Sequence, residues 1–478
     1  MSIDPMFETL TPSRIVTCTT PNPVNHRCYL RTPRIRVVVL DSPVPVAADD
    51  LPKIAAMIVP DQRETDWTFC ANSGLRQLLL DYPNISRLIL IGNDLPPNPH
   101  PCIYTRPPDT DTVDVDRKKL EDELQSLVMS LHPKVCFQNG LPKIRFLTYE
   151  DDLLYRVIVA TFVGPVVGEF VVEDVLMEVH DDSVDKKLRR NLRFKRMPNL
   201  IQSQVHLYPV MADDGKVVAD VISLEYLKKM KNVKFQIDTT ILVHSYLAPM
   251  VSGLFFIGSH LNKRIRQGFP PRALCLGVGG GALLTFLNTQ MGFEVVGVEI
   301  DEAVLSAAKQ FFGFNNGNSI QLIVGDAIEL IQNSAMQQKK GATDDSDPDV
   351  KIDGLDAKFD VVMVDLDSNE PRYGIRAPPL EFVKKSVIQA VRLLFDDDHG
   401  VCIINVVPVD DLFYKTLVQE LKDAFHSVHE IDVEDEDNVV LVATVSEPTS
   451  SMDEDAAAFL EKLMHEIPEG LLESVAEL

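Results

Sequence analysis

The stretch LCLGVGGGALL (274–284) decides how the chain is read. A run of apolar strand type passes directly into glycines and then into a helix-forming run, which lets backbone come close to a bound cofactor. Gly277 and Gly279 permit the tight turn, while Gly280 and Gly281 keep side chains away from the start of the helix. The motif alone is ambiguous. Gly277, Gly279 and Ala282 also meet the GxGxxG/A spacing of a dinucleotide site, so a nicotinamide-dependent enzyme stays in play at this point.

Outward from the glycines, the chain alternates strand and helix from about residue 236, as a parallel sheet with crossover helices does. Strands are expected at 272–277, 294–299, 320–326, 359–367, 401–407, 429–433 and 439–445, with helices at 282–291, 302–312, 327–336, 380–395 and 410–425. Strand centres such as those of FDVVMVDLD (359–367) and VCIINVV (401–407) are almost wholly apolar, as strands covered on both faces must be. Only EDEDN (434–438) separates the last two strands, so the sheet should finish in an antiparallel hairpin.

Three successive strands end in acid. Glu299 closes the second, VGDA (324–327) puts Asp326 and Ala327 after the third, and VDLDS (364–368) puts Asp365 and Asp367 after the fourth. That lines carboxylates along the rim where α/β sheets bind ligands. Glu299, followed by Ile300, suits the two hydroxyls of an adenosine ribose, and Asp326 with the Ala327 backbone suits an adenine amino group. A lone strand-end aspartate is often only a helix cap or turn former, but the joint pattern points to a cofactor site. Upstream, TTILVHSYLAPMVSGLFFIG (239–258) reads as a helix leading into the fold, with His244 and Tyr246 as candidate substrate contacts.

Glu299 would serve NAD and S-adenosylmethionine equally. The further acids and the reversed terminal hairpin separate them, because a two-halved dinucleotide fold has six parallel strands. S-adenosylmethionine is therefore the expected cofactor. Methyl transfer from a sulfonium needs a free lone pair aligned with the methyl carbon, and nearby carboxylates can orient an amine and stabilise the positive charge that grows on it. Asp365 is the first candidate for that task and Asp367 the second. An α-amine, with a reference pKa of roughly 8 against roughly 10.4 for lysine, reaches its reactive form more readily.

At 478 residues the chain exceeds a single core. With 45% hydrophobic and 24% charged residues, disorder cannot dominate it. Three regions are expected: an α+β accessory domain over 1–235, a Rossmann-like domain over 236–446 and an acidic tail over 447–478. A net charge of −25 argues against a nucleic-acid partner and suits a basic protein. The seven cysteines form no CxxC pair, so structural thiols are expected and no metal site. No apolar run reaches the roughly 18 residues of a bilayer span, and the first residues do not read as a signal peptide. A cytoplasmic protein is expected.

The first half carries no catalytic constellation. It offers strand-like runs at 34–42, 55–60, 86–92, 143–149, 155–162 and 166–175, helices near 71–82 and 113–131, and a proline-rich loop over 95–109. KKLRRNLRFKR (186–196) reads as a solvated strand or hairpin face. The polar stretch 337–358 reads as a mobile surface insertion, and AAAFLEKLMHEI (456–467) as an amphipathic segment of unread role.

These residues carry a resemblance to the methyltransferase-like protein 13 family, the dual lysine and N-terminal methyltransferases of translation elongation factor 1-alpha. In the second half it rests on LGVGGGALLTF (276–286), VGVEIDEAVLSAAKQFFGF (296–314), FDVVMVDLDSNEP (359–371) and APPLEFVKKSVIQAV (377–391). In the first half it rests on IVPDQRETDWTF (58–69), GEFVVEDV (168–175) and NLIQSQVHL (199–207). The resemblance implies a class I, seven-stranded methyltransferase domain behind an accessory region that docks substrate or covers the site. It implies Gly277, Gly279, Glu299, Asp326 and Asp365 as cofactor rim and active site.

Family members look like two such catalytic domains joined by a middle region, and this chain resembles the middle region and the second domain. The α-amine of elongation factor 1-alpha is then the expected target, without the lysine activity; a homodimer is left open. Cys275 stands where many methyltransferases carry an acid. The alternatives are a spermidine synthase-like aminopropyltransferase using the decarboxylated cofactor, against which Ala282 stands in place of an acid, and a non-catalytic scaffold.

Overall fold

The computed structural model describes residues 5–24, 30–46, 50–95, 103–107, 111–138, 140–149, 152–178, 188–211, 233–315, 317, 319–341, 355, 358–367, 377–396, 398–408, 410–433, 438–447, 454–466 and 475–478. They form three sheets. The first holds β1 (Ile15–Pro21), β2 (Arg34–Asp41), β3 (Ile54–Ile58), β4 (Arg87–Asn93) and, beyond a strand of the second sheet, β6 (Arg145–Leu147), in the order β1-β2-β4-β3-β6. Alternation along β2 sends Val37 and Val39 to one face and Val38 and Leu40 to the other. The first pair packs with Leu120, Leu124 and Val128 of the helix Asp111–Ser130, the second with Leu75, Leu78 and Leu79 of Asn72–Asp81. Arg87, fully buried, binds Asp41 through Nε at 2.6 Å and Nη2 at 3.1 Å and donates to the carbonyls of Phe7 and Leu131. Such a charge is tolerable in a core only because it is paired and hydrogen-bonded.

The second sheet is an antiparallel meander of β5 (Ile103–Thr105), β7 (Leu153–Gly164), β8 (Gly168–Met177), β9 (Leu188–Phe194), β10 (Ile201–Met211) and β11 (Val233–Asp238). The predicted accessory domain is thus two sheets with separate cores, and its boundary at 235 falls inside β11. The described part of the basic run is not a solvated face. Arg190 pairs with Asp174 at 2.7 Å and Arg193 with Glu173 at 2.9 Å, both acids being buried on the neighbouring β8.

The third sheet holds β12 (Arg272–Leu276), β13 (Glu294–Glu299), β14 (Ile320–Val324), β15 (Val361–Val364), β16 (Val401–Val406), β17 (Ser427–Asp432), β18 (Val439–Thr444) and β19 (Val475–Glu477). Their order is β14-β13-β12-β15-β16-β18-β17-β19, parallel through β16 and antiparallel beyond. The first seven have the class I methyltransferase arrangement, with β18 inserted as the reversed strand. The tail predicted as a separate region is part of this fold. β19 pairs with β17, and the helix Glu454–Glu466 buries Phe459 and Leu463 in the core shared with Leu254, Ile257 and Leu261.

Residues 239–258 are not one helix. Helices run over Leu247–Ser252 and Gly258–Arg266 with a 3-10 turn between. Pro249 explains the late start, since proline is tolerated in a first turn but breaks a helix interior. The helix Ala327–Gly341 takes up the start of the predicted polar insertion, whereas 342–354 lie outside the described residues, as do 368–376 after Asp367 and 434–437 of the hairpin connection.

The second sheet docks onto the third through the helix Glu302–Phe311. Val167, Phe170, Leu192 and Val205 share a core with Val304, Ala307 and Phe312. Asp301, fully buried, caps that helix through Ala303 N at 2.9 Å, and its other oxygen accepts from Val166 and Val167 N at 2.8 and 2.9 Å. One aspartate therefore fixes the β7–β8 hairpin beside the glycine loop. Among the described residues no helix is long and apolar enough to cross a membrane.

Candidate active site

A cleft of about 770 Å³ opens at the C-terminal ends of β12, β13, β14 and β15, with β9 and β10 of the second sheet as its opposite wall. Its size lies in the range of small-molecule sites. The glycine loop forms one side. Gly277 has φ +90°, and a Cβ there would lie 2.1 Å from the Asp365 carbonyl oxygen; Gly279 has φ +53°, with Ser203 Oγ 2.5 Å from its would-be Cβ. Both positions need glycine for conformation and for space.

The loop amides are already committed. Glu299 Oε2 accepts from Val278 N and Gly279 N at 3.2 Å each, and Oε1 accepts from Asp301 N at 3.3 Å. Gly280 N donates to Ser203 Oγ at 2.6 Å and Gly281 N to the Val278 carbonyl at 2.9 Å. A pyrophosphate would need those amides and would instead meet the Glu299 carboxylate. The Glu299 carboxylate thus disfavours a pyrophosphate against the loop, whereas the hydroxyls of a ribose can donate to it. Burial pushes Glu299 above the usual carboxylate range, and the three amides pull it back.

Ser203 thus acts as a cap supplied from another sheet. Replacing it with alanine strands the buried Gly280 N–H, at about 0.5–2 kcal/mol by analogy with helix caps. Ser203→Ala should lower the urea midpoint accordingly with an unchanged m-value; an unaltered midpoint would show that the contact is not needed.

On the cleft floor, Asp365 Oδ2 accepts from Tyr246 Oη at 3.1 Å and Oδ1 from Asn405 Nδ2 at 2.9 Å; Asn405 is itself held by Asn438 Nδ2 at 2.8 Å. Burial pushes the Asp365 carboxyl above its ordinary value, Asn405 and Tyr246 lower it, and Asp367 raises it further. Asp367 is also raised by burial, opposed by Arg196, whose Nη2 lies 3.1 and 3.2 Å from its two oxygens. The floor therefore holds two carboxylates with different partners: Asp365 fixed by neutral donors, and Asp367 neutralised by an arginine.

The remaining predicted residues take up mixed roles. Ile300, Asp326 and Ala327 line the cleft. Asp326 is exposed and caps the helix Ala327–Gly341 through Ile328 N at 2.8 Å. Gly280 does not line the cleft: it lies behind the loop, where a Cβ would sit 3.0 Å from both Phe312 and Ser203. His244 and Tyr246 do line it, with rings stacked at 5.3 Å.

Burial, aided by Arg189, lowers His244 from 6.5 to about 4. Because the folded value is depressed, the unfolded chain binds the proton first. The stability this group contributes is complete above pH 6.5 and is lost as pH falls toward 4, by roughly 3 kcal/mol. Urea titrations at pH 7 and pH 4.5 should show a smaller acid loss in His244→Phe than in the wild type; equal losses would remove His244 from the account.

Several lining residues have no place in the sequence reading. Asn405 had a signal, as the one amide in the apolar run VCIINVV. Arg189, Arg196, Gln202 and Ser203 had none, because they reach the cleft from a sheet far away in sequence.

The acids Glu299, Asp326, Asp365, Asp367 and Glu381 outnumber Arg189 and Arg196 around the cleft. Such a lining favours a cationic ligand and an ammonium-bearing substrate.

The chain is similar to a protein described as eEF1A lysine and N-terminal methyltransferase from Xenopus laevis, 27% identical over 422 residues that cover 86% of this chain and 53% of that protein. The protein of that description from Homo sapiens is 26% identical over 430 residues, with 86% and 53% covered. The chain thus spans about half the length of the curated relatives it matches. Among solved structures it is similar to human methyltransferase-like protein 13 in complex with SAH, at 26% identity and a TM-score of 0.38, covering 46% of this chain and 92% of that one. No protein-family model matches the chain.

Proposed function

We propose that the chain is an S-adenosylmethionine-dependent methyltransferase acting on a protein amine, with the N-terminal α-amine of elongation factor 1-alpha as its substrate. The observation that carries this reading is the pairing of a glycine loop whose amides are closed to phosphate with Asp365 fixed on the facing floor. The names of the curated relatives support the substrate. A cytoplasmic location follows from that substrate and is part of the proposal, as is direct recognition of a protein without nucleic acid.

The residues fit the cofactor. Glu299 would hold the ribose hydroxyls, Ile300 would lie against the adenine, and Asp326 with the Ala327 backbone would meet its amino group. The bound cofactor supplies an electrophilic methyl on a sulfonium. Asp365 then orients the amine, its two oxygens held by Tyr246 and Asn405 so that the remaining lone pairs face the cleft. Its raised proton affinity suits it to accept the proton that the ammonium must lose and pass it to solvent, and once ionised again it opposes the positive charge developing on nitrogen during the transfer. Asp367 and Arg196 form a neutral pair beside it that limits repulsion between the two carboxylates.

Incubation of the full chain with recombinant elongation factor 1-alpha and S-adenosylmethionine, followed by peptide mass spectrometry, should show methyl groups on the N-terminal peptide. A parallel reaction with spermidine and the decarboxylated cofactor should yield no spermine. Spermine there, with an unmodified protein, would replace the proposal with a polyamine transferase.

A further inference from the structure

One corner of the cleft has the opposite charge to the rest. Arg189, on β9 of the second sheet, lines the cleft, and among the described residues it donates one hydrogen bond, from Nη1 to Gln204 Oε1 at 3.3 Å. No carboxylate lies within ion-pair distance of it among the described residues. This sets it apart from Arg190 and Arg193 on the same strand, each of which has its own acid on β8. Arg189 is half-buried, and a partly desolvated guanidinium without a counter-charge is unfavourable unless a ligand provides one.

A second observation converges on the same place. His244 Nε2 is buried, has no hydrogen-bond partner and belongs to a side chain that lines the cleft. Buried polar atoms are rarely left so, and an imidazole N–H beside a guanidinium is a donor set for an anionic oxygen. His244 stacks on Tyr246, whose hydroxyl binds Asp365, so this corner is one side chain away from the floor carboxylate.

We infer that Arg189 and His244 form a carboxylate-binding corner that takes the α-carboxylate of the cofactor's methionyl group. The inference rests on the methyltransferase reading. In that reading the sulfonium would lie by Asp365, and the methionyl carboxylate, three carbons from the sulfur, would be able to reach a group one side chain away. Arginine suits a carboxylate because its planar fork can donate two parallel hydrogen bonds. The corner also separates the intact cofactor from its decarboxylated form, which would leave the arginine without a counter-charge. The second sheet thereby becomes part of the cofactor site.

The test is calorimetric binding of S-adenosylmethionine and of decarboxylated S-adenosylmethionine to the full chain, wild type and Arg189→Gln. The wild type should prefer the carboxylated form by about ten- to a hundred-fold, the effect of a hydrogen-bonded charge pair. Arg189→Gln should lose that preference while keeping its affinity for the decarboxylated form, which also shows that the variant is folded. His244→Phe should narrow the preference in the same direction. Equal affinities in the wild type would overturn the assignment. If equal affinities were accompanied by a raised KM for the protein substrate in Arg189→Gln, the corner would hold a substrate carboxylate instead. A wild type that binds neither form would sink the methyltransferase reading itself, a different failure from loss of the preference.

Discussion

Asp365→Asn is expected to lower kcat by about 10²- to 10⁴-fold, the range for removing a positioned general base, with the dissociation constant for S-adenosylmethionine changed no more than a few-fold. Asparagine keeps the shape and still accepts from Tyr246 Oη or Asn405 Nδ2, so the floor should remain packed. It cannot take a proton or oppose charge growing on the amine. Single-turnover kinetics with saturating cofactor would read this directly. A matching loss of cofactor affinity would make Asp365 a recognition group rather than a catalytic one. The pH profile provides a second readout. Asp365 must be ionised to act, and burial lifts its pKa, so activity should fall as pH drops through a value above the ordinary aspartate range. The residual activity of Asp365→Asn should lack that acidic limb.

Glu299→Gln is expected to act on the other parameter. Two ribose hydroxyls donating to a carboxylate contribute about 1.5–3 kcal/mol each, so removal of the charge should weaken S-adenosylmethionine binding by about a hundred-fold or more. Because the amide oxygen can still accept from Val278 and Gly279 N, the loop should hold its shape. Turnover at saturating cofactor should stay close to that of the wild type. A fall in kcat with unchanged affinity would mean that Glu299 maintains the loop without touching the ribose.

The contrast between these variants follows from where the carboxylates sit, and much of that placement was legible in the sequence. The strands of the third sheet announced themselves because parallel strands buried on both faces leave unbroken apolar runs. The acids that follow β13, β14 and β15 stood out at their ends. Asn405 could have been found on the same logic, as a polar residue in such a run near the rim.

The opposite wall was not legible. Arg189 and Arg196 look like members of a solvated basic cluster until β8 brings Asp174 and Glu173 to Arg190 and Arg193, Asp367 meets Arg196, and Arg189 is left without an acid among the described residues. Ser203 reads as an ordinary polar residue in NLIQSQVHL until tertiary packing sets it on Gly280 N. The contact between Gly280 and Ser203 joins residues 77 positions apart, and no local periodicity encodes it. The amphipathic segment of the tail had no readable role for a related reason: the apolar face of Glu454–Glu466 has meaning only against the helix Gly258–Arg266, which it covers.

Methyl transfer to an α-amine, rather than to lysine, is decided by one paired reaction. A peptide carrying the N-terminus of elongation factor 1-alpha, with its lysines intact, is incubated with the full chain and S-adenosylmethionine, once with a free α-amine and once N-acetylated. Methyl groups are expected at the free N-terminus and none on the acetylated peptide. Equal methylation of both would place the chemistry on lysine and contradict it, and no methylation of either, by a chain shown to bind the cofactor, would contradict the substrate.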